Sequence, residues 1–398
     1  MRKLSEGLLL VVSFAIPWEN LVIFEQLGSL VRVLGMVAAS VGVCAVLLDG
    51  RLRKFGPVLV LAALWVLWGG LTLFWSIEAD STVDRVLTYV QLLGLMWLMW
   101  EFGADAPSRS ALTQAYVFGA YVSLVGTLVG FASGAQLDAK RYTTGTFNVN
   151  DLGLTFALGI PMAWYLVLTQ QNRILRWINQ AYVPAAVVGV LLTASRGAFV
   201  ATVIATSMVV GSMSKLPLRT KLLALLLITS ALIAAAFVVP QSSWQRLAQG
   251  QQSLQRWDLT GRTAIWEEGL RQFRVHPVRG MGAGAFPVTT KEETGRAWVA
   301  HNTYLGILID EGIVGLGIFA LLGVVLVLSL RRLPPLERRL CFVLTCTWAV
   351  GVFVLSWEHR KPTWFLLGLV TAYAGVAHRD QAAGRASLAS HRRRLCVP

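Results

Sequence analysis

The chain has 398 residues, of which 55% are hydrophobic and only 14% are charged, and its mean hydropathy is +0.61. Soluble domains carry about a quarter charged residues, so this composition indicates a protein that lies in a bilayer. The net charge of +14 does not predict nucleic-acid binding, because the basic residues are scattered between apolar runs rather than gathered on one face.

Apolar runs long enough to cross a bilayer follow one another along the chain. A spanning helix needs about 20 such residues and satisfies its own backbone polar groups, which lipid cannot do. The sequence therefore predicts an all-α, polytopic integral membrane protein of about 12 transmembrane helices in a single domain, 1–398. The runs are 7–24, 29–48, 56–75, 83–100, 111–131, 152–169, 178–194, 197–213, 222–239, 303–330, 340–356 and 363–377.

The distribution of basic residues predicts the orientation. If the N-terminus is cytoplasmic, the segments predicted to face the cytoplasm contain most of the Lys and Arg residues that lie outside 240–300. Short cytoplasmic loops are enriched in these residues, whereas long loops largely escape the rule. We therefore expect both termini to be cytoplasmic, including the basic tail 378–398. The long loop 240–300, between spans nine and ten, then lies on the outer side of the membrane, either periplasmic or extracellular.

Within run 178–213, one arginine lies at the turn of a helical hairpin. Thirty-six residues of helix would be roughly 54 Å long against ~30 Å of hydrocarbon, so two spans must meet with almost no loop between them. The sequence Thr193-Ala-Ser-Arg196-Gly197 lies at that turn. An arginine there either faces protein, water or an anion as a functional residue, or anchors the hairpin to lipid headgroups.

The long loop is predicted to contain short helices, and one is marked by apolar spacing. Trp266, Leu270 and Phe273 repeat at i, i+4 and i+7, with Thr260 as a possible N-cap and Pro277 just beyond the end. Arg262 then lies in the first turn on the same face. If that face packs on the membrane domain, Arg262 is held over the protein rather than in bulk water.

The long loop re-enters the membrane at His301-Asn302. A histidine at this boundary can accept a proton from a hydroxyl at neutral pH, or it can be an interfacial residue that only hydrogen-bonds the backbone. Asp310 and Glu311 interrupt the apolar run that follows, which predicts a short first helix near the interface. Several arginines lie in segments predicted to face outwards, and together they favour an anionic headgroup as ligand. They are Arg141, Arg196, Arg262, Arg279, Arg296 and Arg360.

Taken in order, these pieces resemble the O-antigen ligase and polymerase superfamily of bacterial envelope enzymes over roughly residues 140–330. They are Arg141 with Gly145-Thr-Phe-Asn-Val-Asn150-Asp151, Thr193-Ala-Ser-Arg196-Gly197, Gly261-Arg262-Thr-Ala-Ile-Trp266, Pro277-Val-Arg279-Gly280-Met-Gly282-Ala-Gly284, and His301-Asn302 followed by Gly312 and Gly315. The spacing of the last piece is similar to the pattern of O-antigen ligases.

The resemblance implies a metal-independent glycosyltransferase without a cofactor, whose donor is a glycan on undecaprenyl diphosphate and whose acceptor hydroxyl belongs to another glycan. Because no obvious second nucleophile accompanies His301, we expect direct displacement with inversion at the anomeric carbon. The resemblance further implies that Arg196 and Arg262 bind the donor diphosphate, with Arg141 and Arg279 as companions, and that His301 is the catalytic base. Asn302, Glu311 and Asn150 are expected to support these residues. The resemblance also implies a location in the bacterial inner (plasma) membrane, with the active site periplasmic. No metal ligands and no nucleic-acid partner are expected, and membrane lipid surrounds the chain.

The acceptor remains open at this stage. An O-antigen ligase transfers the finished glycan to lipid A–core, whereas a polymerase of the same superfamily joins one lipid-linked repeat to another. The motif around His301 favours the ligase. A lipid-linked oligosaccharide transporter is the rival class, but transporters tend to show repeat symmetry and ionisable residues near the midplane. The clustering of ionisable residues on one predicted side favours an enzyme.

Overall fold

A computed structural model describes residues 1–26, 28–134, 141–145, 147–213, 262–295 and 297–375, with scattered residues between 217 and 245. The predicted tail 378–398, most of the predicted span 222–239, Thr260 and Arg296 lie outside the described residues. The described chain is all-α apart from a small antiparallel hairpin, in which Ile23–Phe24 pairs with Gly28–Ser29.

The helices follow one another closely in sequence. In chain order they are α1 (Arg2–Ala15), α2 (Leu30–Asp49), α3 (Pro57–Leu71), α4 (Ala79–Phe102), α5 (Ala106–Ala132), α6 (Val149–Thr169), α7 (Arg173–Thr193), α8 (Arg196–Val210), α9 (Arg262–Val275), α10 (Phe286–Thr294), α11 (Thr303–Ser329), α12 (Pro335–Gly351) and α13 (361–375).

Six of the described helices are long and apolar enough to cross a membrane. They are α2, α3 with its continuation to Phe74, α5, α6, α7, and α11 with its continuation to Arg332. The chain is therefore an all-α integral membrane protein, as its composition predicts. The count of about 12 spans stays a prediction.

One predicted run is wrong in its second half. The run 7–24 was expected to form one helix, but α1 ends at Ala15 and a single 3-10 turn, Ile16–Trp18, leads into the hairpin. Pro17 explains the early end, since proline has no N–H for the helical ladder and its ring clashes with the preceding turn.

Helix α6 lies at the centre of the bundle. It contacts α5, α7, α8 and α12, and 89% of its most apolar window is buried. Small residues allow these close contacts, as at Gly159, where an added Cβ would lie 2.2 Å from the hydroxyl oxygen of Tyr182. Helix α6 thus holds both helices of the hairpin formed by α7 and α8.

The segments between helices form two groups, one at each end of the bundle, and hydrogen bonds and ion pairs join the members of each group. At one end, Lys361 pairs with Glu19 and the indole N–H of Trp357 donates to Asp151. At the other, Arg2 pairs with both Asp49 and Glu101. We call the first the site end, formed by 16–26, 72–79, 141–145, 193–196, 276–286 and 352–361, and the second the opposite end, formed by 1–2, 49–57, 102–106, 169–173, 210–213 and 330–335.

The two ends follow the alternation that the basic residues predict. The segments expected outside the membrane contact one another at the site end, and those expected in the cytoplasm contact one another at the opposite end. The structure contains no membrane, so which end is periplasmic stays a prediction.

Candidate functional site

Arg196 begins a helix at the turn of the predicted hairpin. Helix α7 ends at Thr193, and Ala194 takes a left-handed conformation with φ of 48°. The Ser195 hydroxyl then caps α8 by accepting from the amide of Ala198 at 3.4 Å. Arg196 is the first residue of α8 and is half-buried, so the turn holds it against protein at the site end.

Helix α9 places Arg262 over the start of α11. Its apolar side packs into a cluster of Ile265, Met281, Ala285, Phe286, Ala300 and Ile309. The indole N–H of Trp266 also donates to the carbonyl of Ala300 at 2.9 Å. Because Ala300 directly precedes His301, this bond ties the helix that begins at Arg262 to the predicted base.

The buried face of α9 differs from the predicted one. Trp266 and Phe273 pack on the cluster as expected, but Leu270 is 42% exposed, and the face is completed by Ile265 and Gly269. The absence of a side chain at Gly269 explains the shift, since a Cβ there would lie 2.4 Å from Cδ1 of Ile309. The predicted helix is therefore present with its contact face rotated.

Arg196, Arg262 and His301 form one electrostatic cluster. Burial lowers the pKa of Arg262, and the positive charge of Arg196 lowers it further. Burial and then the charge of Arg262 lower the pKa of His301 to about 4. Charge effects of this kind fall off with distance, so Arg262 lies near both Arg196 and His301. The half-buried imidazole is neutral at physiological pH.

The backbone around His301 is held in an uncommon conformation. His301 has φ of 46°, and among the described non-glycine residues only it and Ala194 have positive φ. Such conformations persist only where their surroundings hold them, and they concentrate at functional sites. Asn302 then caps α11 by accepting from the amide of Leu305 at 3.1 Å. Asn302 is therefore the N-cap of the helix that follows His301.

Thr303 fastens this turn to the segment that precedes α13. Its hydroxyl donates to the carbonyl of Leu355 at 2.8 Å and accepts from the amide of Trp357 at the same distance. The indole of Trp357 reaches Asp151 in the first turn of α6 at 2.9 Å. These bonds connect the backbone turn at His301 to helix α6 without involving the imidazole of His301.

Arg141 and Asn150 stabilise the α7–α8 hairpin at its turn. The guanidinium of Arg141 donates to the Asn150 side chain at 2.8 Å and to the carbonyl of Thr193 at 2.9 Å. Thr193 is the last residue of α7, so Arg141 fixes the end of α7 that leads into the turn before Arg196. These contacts give Arg141 and Asn150 a positioning role.

Two other predicted residues have contacts outside the cluster. Arg279 is exposed, and its guanidinium lies over the ring of Trp75, 5.7 Å from the centroid. Glu311 is fully buried, and its carboxylate accepts from the indole of Trp65 at 2.5 Å while its carbonyl accepts from Trp68 at 2.9 Å. Glu311 thus joins α3 to α11. Of the other outward-facing arginines, Arg360 lies 3.8 Å from Asp151.

The sequence did not predict the contact between two motif segments, 277–286 and 309–314. The Asp310 carboxylate accepts from the amides of Gly284 and Phe286 at 2.9 and 3.0 Å. The loop 277–286 also pairs with the backbone of 309–314, with Gly282 donating to the carbonyl of Asp310 at 2.9 Å. A carboxylate inside an apolar run was the signal that could have identified Asp310 as a structural anchor.

The sequence analysis also did not predict the polar cluster formed by Arg85, Glu358 and His359. Arg85 of α4 pairs with Glu358 at 2.8 Å, and Glu358 contacts the neighbouring ring of His359 at 2.7 Å. Despite its burial, the pKa of Glu358 is lowered to about 2, chiefly by His359 and Arg85. The Trp-Glu-His-Arg-Lys sequence between the last two apolar runs was the available signal. Within the described residues, no group of three or more His, Cys, Asp or Glu side chains could hold a metal ion.

Comparisons with known proteins agree with the motifs that form this site. Residues 181–320 match the family model described as O-Antigen ligase. The chain is also 27% identical over 309 residues to the exopolysaccharide production protein ExoQ of Rhizobium meliloti (strain 1021). This alignment covers 69% of this chain and 67% of that protein. The family-model match contains Arg196, Arg262 and His301. These findings confirm the predicted resemblance to the O-antigen ligase and polymerase superfamily, which the family model finds within residues 181–320.

Proposed function

We propose that the chain transfers a glycan from undecaprenyl diphosphate to an acceptor hydroxyl at the periplasmic face of the inner membrane, as an O-antigen ligase that attaches O-antigen to lipid A–core. The observation that carries the proposal is the convergence of Arg196, Arg262 and His301 at one end of a membrane-embedded bundle. Similarity to a superfamily of glycosyltransferases of this type supports the reaction class.

The two arginines suit a diphosphate leaving group. As the glycosidic C–O bond breaks, negative charge collects on the diphosphate, and guanidinium groups can stabilise it through charge-assisted, bidentate hydrogen bonds. Burial lowers the pKa of Arg262, and repulsion by the positive charge of Arg196 lowers it further. An anion placed between them removes that repulsion, so the pair is arranged to bind before the bond breaks.

The neutral imidazole of His301 suits the attacking hydroxyl. A base has to be unprotonated before it can take the acceptor proton, and the depressed pKa of His301 ensures this. When the donor diphosphate binds beside Arg262, its negative charge raises the pKa of the imidazole and strengthens it as a base. Direct attack on the anomeric carbon then inverts its configuration.

A polymerase is the second candidate, and a specific observation favours it. The relative that matches over 309 residues is an exopolysaccharide production protein. A polymerase uses the same donor chemistry, but its acceptor is the terminal sugar of another lipid-linked glycan. The spacing of His301, Gly312 and Gly315 favours the ligase.

A single assay separates the candidates. The purified protein is given a lipid-linked glycan together with lipid A–core, and the products are resolved by mass. We expect glycan on lipid A–core. Longer lipid-linked chains would assign the polymerase instead, and movement of the donor across vesicle membranes without new bonds would assign a transporter.

Metal independence is tested in the same assay. Because the arginines are proposed to carry the positive charge, transfer should continue at an unchanged rate in the presence of a strong chelator. Loss of transfer that magnesium restores would contradict the assignment of that charge to Arg196 and Arg262.

A further inference from the structure

We infer that the opposite end of the bundle binds an anionic phospholipid of the surrounding bilayer, with the phosphodiester on Arg51 and Lys54 and an acyl chain in an apolar cavity beside them. The inference stands on two adjoining cavities far along the chain from the motif pieces. It does not depend on the proposed glycosyl transfer.

The first cavity is polar and positively charged. It has a volume of about 620 Å³, and its charged walls are Arg2, Arg51, Arg53, Asp49 and Glu101. Arg2 pairs with both acids, at 2.7 Å to Asp49 and 3.0 Å to Glu101. The three arginines outnumber the two carboxylates, and Arg51 is exposed, so the cavity favours an anion.

The second cavity is apolar and shares a wall with the first. It has a volume of about 470 Å³, and Leu52 and Arg53 line both. Phe55, Val58 and Ala374 contribute apolar walls, and the exposed Lys54 adds a further positive charge at its edge.

Arg53 is held in place between the two cavities. Its guanidinium lies over the ring of Trp100, 3.6 Å from the centroid, and donates to the Trp100 carbonyl. Its amide donates to Glu101 at 2.9 Å. A rigid cation between a polar and an apolar cavity matches the junction between a lipid phosphate and its acyl chain.

The surroundings favour a phospholipid over other occupants. The cavities lie where α2 ends and α3 begins, and both helices are candidate membrane spans. Basic pockets between transmembrane helices bind anionic lipid headgroups, each basic residue near the surface contributing about 1 kcal/mol. Gly375 lines the second cavity, and the sequence that follows it contains five arginines and one aspartate, so it has the same charge sign as the site and is disfavoured as the occupant. A free phosphate would leave the apolar cavity unused.

The test measures lipid binding to the purified full chain by native mass spectrometry. Phosphatidylglycerol and phosphatidylcholine with the same acyl chains serve as probes. The variant Arg51→Gln/Lys54→Gln removes two exposed charges, and Arg173→Gln/Arg176→Gln removes two charges from the start of α7 at the same end, as the control. We expect wild type and the control to retain phosphatidylglycerol preferentially, and the Arg51/Lys54 variant to bind it at least about tenfold more weakly.

Three outcomes would overturn the inference. Equal retention of the two lipids would remove the charge preference, and an equal loss in the Arg173/Arg176 control would show that the charge effect is not local. Displacement of the lipid by inorganic phosphate at physiological ionic strength would indicate an anion site without a lipid. Enlarging Ala374 to Leu supplies the second arm, since it narrows the apolar cavity and should weaken phosphatidylglycerol binding without changing the binding of glycerol phosphate.

Discussion

His301 combines a half-buried imidazole with a cationic neighbour, and this sets the pH dependence of the proposed reaction. Its pKa is lowered to about 4, below its ordinary value, so the imidazole of the free enzyme loses its proton on going above about pH 4. The acid limb of kcat/KM reports the free enzyme, so it should lie near pH 4 rather than near 6.5. Transfer assays across the acidic range measure it. A limb near 6.5 would argue against His301 as the base, while His276→Gln, in the turn after α9, should leave the profile unchanged.

The arginines of α9 offer a matched pair for testing diphosphate binding. Arg262 begins the helix inside the cluster, whereas Arg274 lies exposed in its last turn. Arg262→Ala should reduce transfer by about 100-fold or more, because a group that stabilises the departing anion is lost. Arg274→Ala removes the same charge from the same helix and should retain transfer. Equal effects of the two substitutions on the transfer rate, with equal membrane insertion, would contradict a specific role for Arg262.

Motif order predicted the members of the cluster, but not the residues that position it. Arg196, Arg262 and His301 each lie in a short sequence pattern that can be recognised without a structure. The pairing of Arg85 with Glu358 joins segments that are 273 residues apart, and only tertiary contacts reveal it. Local patterns contain no signal for such a partner.

At the scale of elements, the break in α11 depends on one glycine. Gly312 has φ of 71° and ψ of −171°, and a Cβ there would lie 2.2 Å from the carbonyl oxygen of Val278. Gly312→Ala should therefore displace the loop 277–286, lower stability by about 3 kcal/mol and reduce transfer. Thermal unfolding in detergent and the transfer assay measure the two effects.

Gly317, five residues further along α11, provides the control for this substitution. It is exposed, and no atom lies within 4 Å of the Cβ that alanine would add. Gly317→Ala should leave both the unfolding temperature and transfer near wild type. If Gly312→Ala also leaves the unfolding temperature and transfer near wild type, the contact between 277–286 and 309–314 is not needed for transfer.

Elements were predictable where length or periodicity dominated. The length of run 178–213 alone required the hairpin turn that the structure places at Ala194–Ser195. The interruption at Asp310 and Glu311 predicted a short first helix, and α11 bends at Gly312 directly after them. The face of α9 was wrong because apolar spacing gives no weight to Gly269, whose missing side chain allows the closest approach to Ile309.

At the scale of the whole molecule, the alternation of basic segments anticipated which segments meet. Trp357 and Asp151, which meet at the site end, lie in segments predicted to share one side of the membrane, although the orientation rule uses no tertiary information. The two cavities of the opposite end lie among the basic residues expected in the cytoplasm. Charge distribution therefore separates a proposed catalytic end from a proposed lipid-binding end.

This polarity predicts the outcome of thiol labelling in cells. Lys291 is exposed on α10 at the site side, and Arg173 is exposed at the start of α7 at the opposite end. In a Cys396→Ser background, a membrane-impermeant thiol reagent should modify Lys291→Cys in intact cells, but Arg173→Cys only after the inner membrane is disrupted. Cys44, Cys341 and Cys346 lie within helices, so the parent provides the unlabelled baseline. The reverse pattern would place the arginine cluster in the cytoplasm, where a periplasmic transfer reaction could not use it.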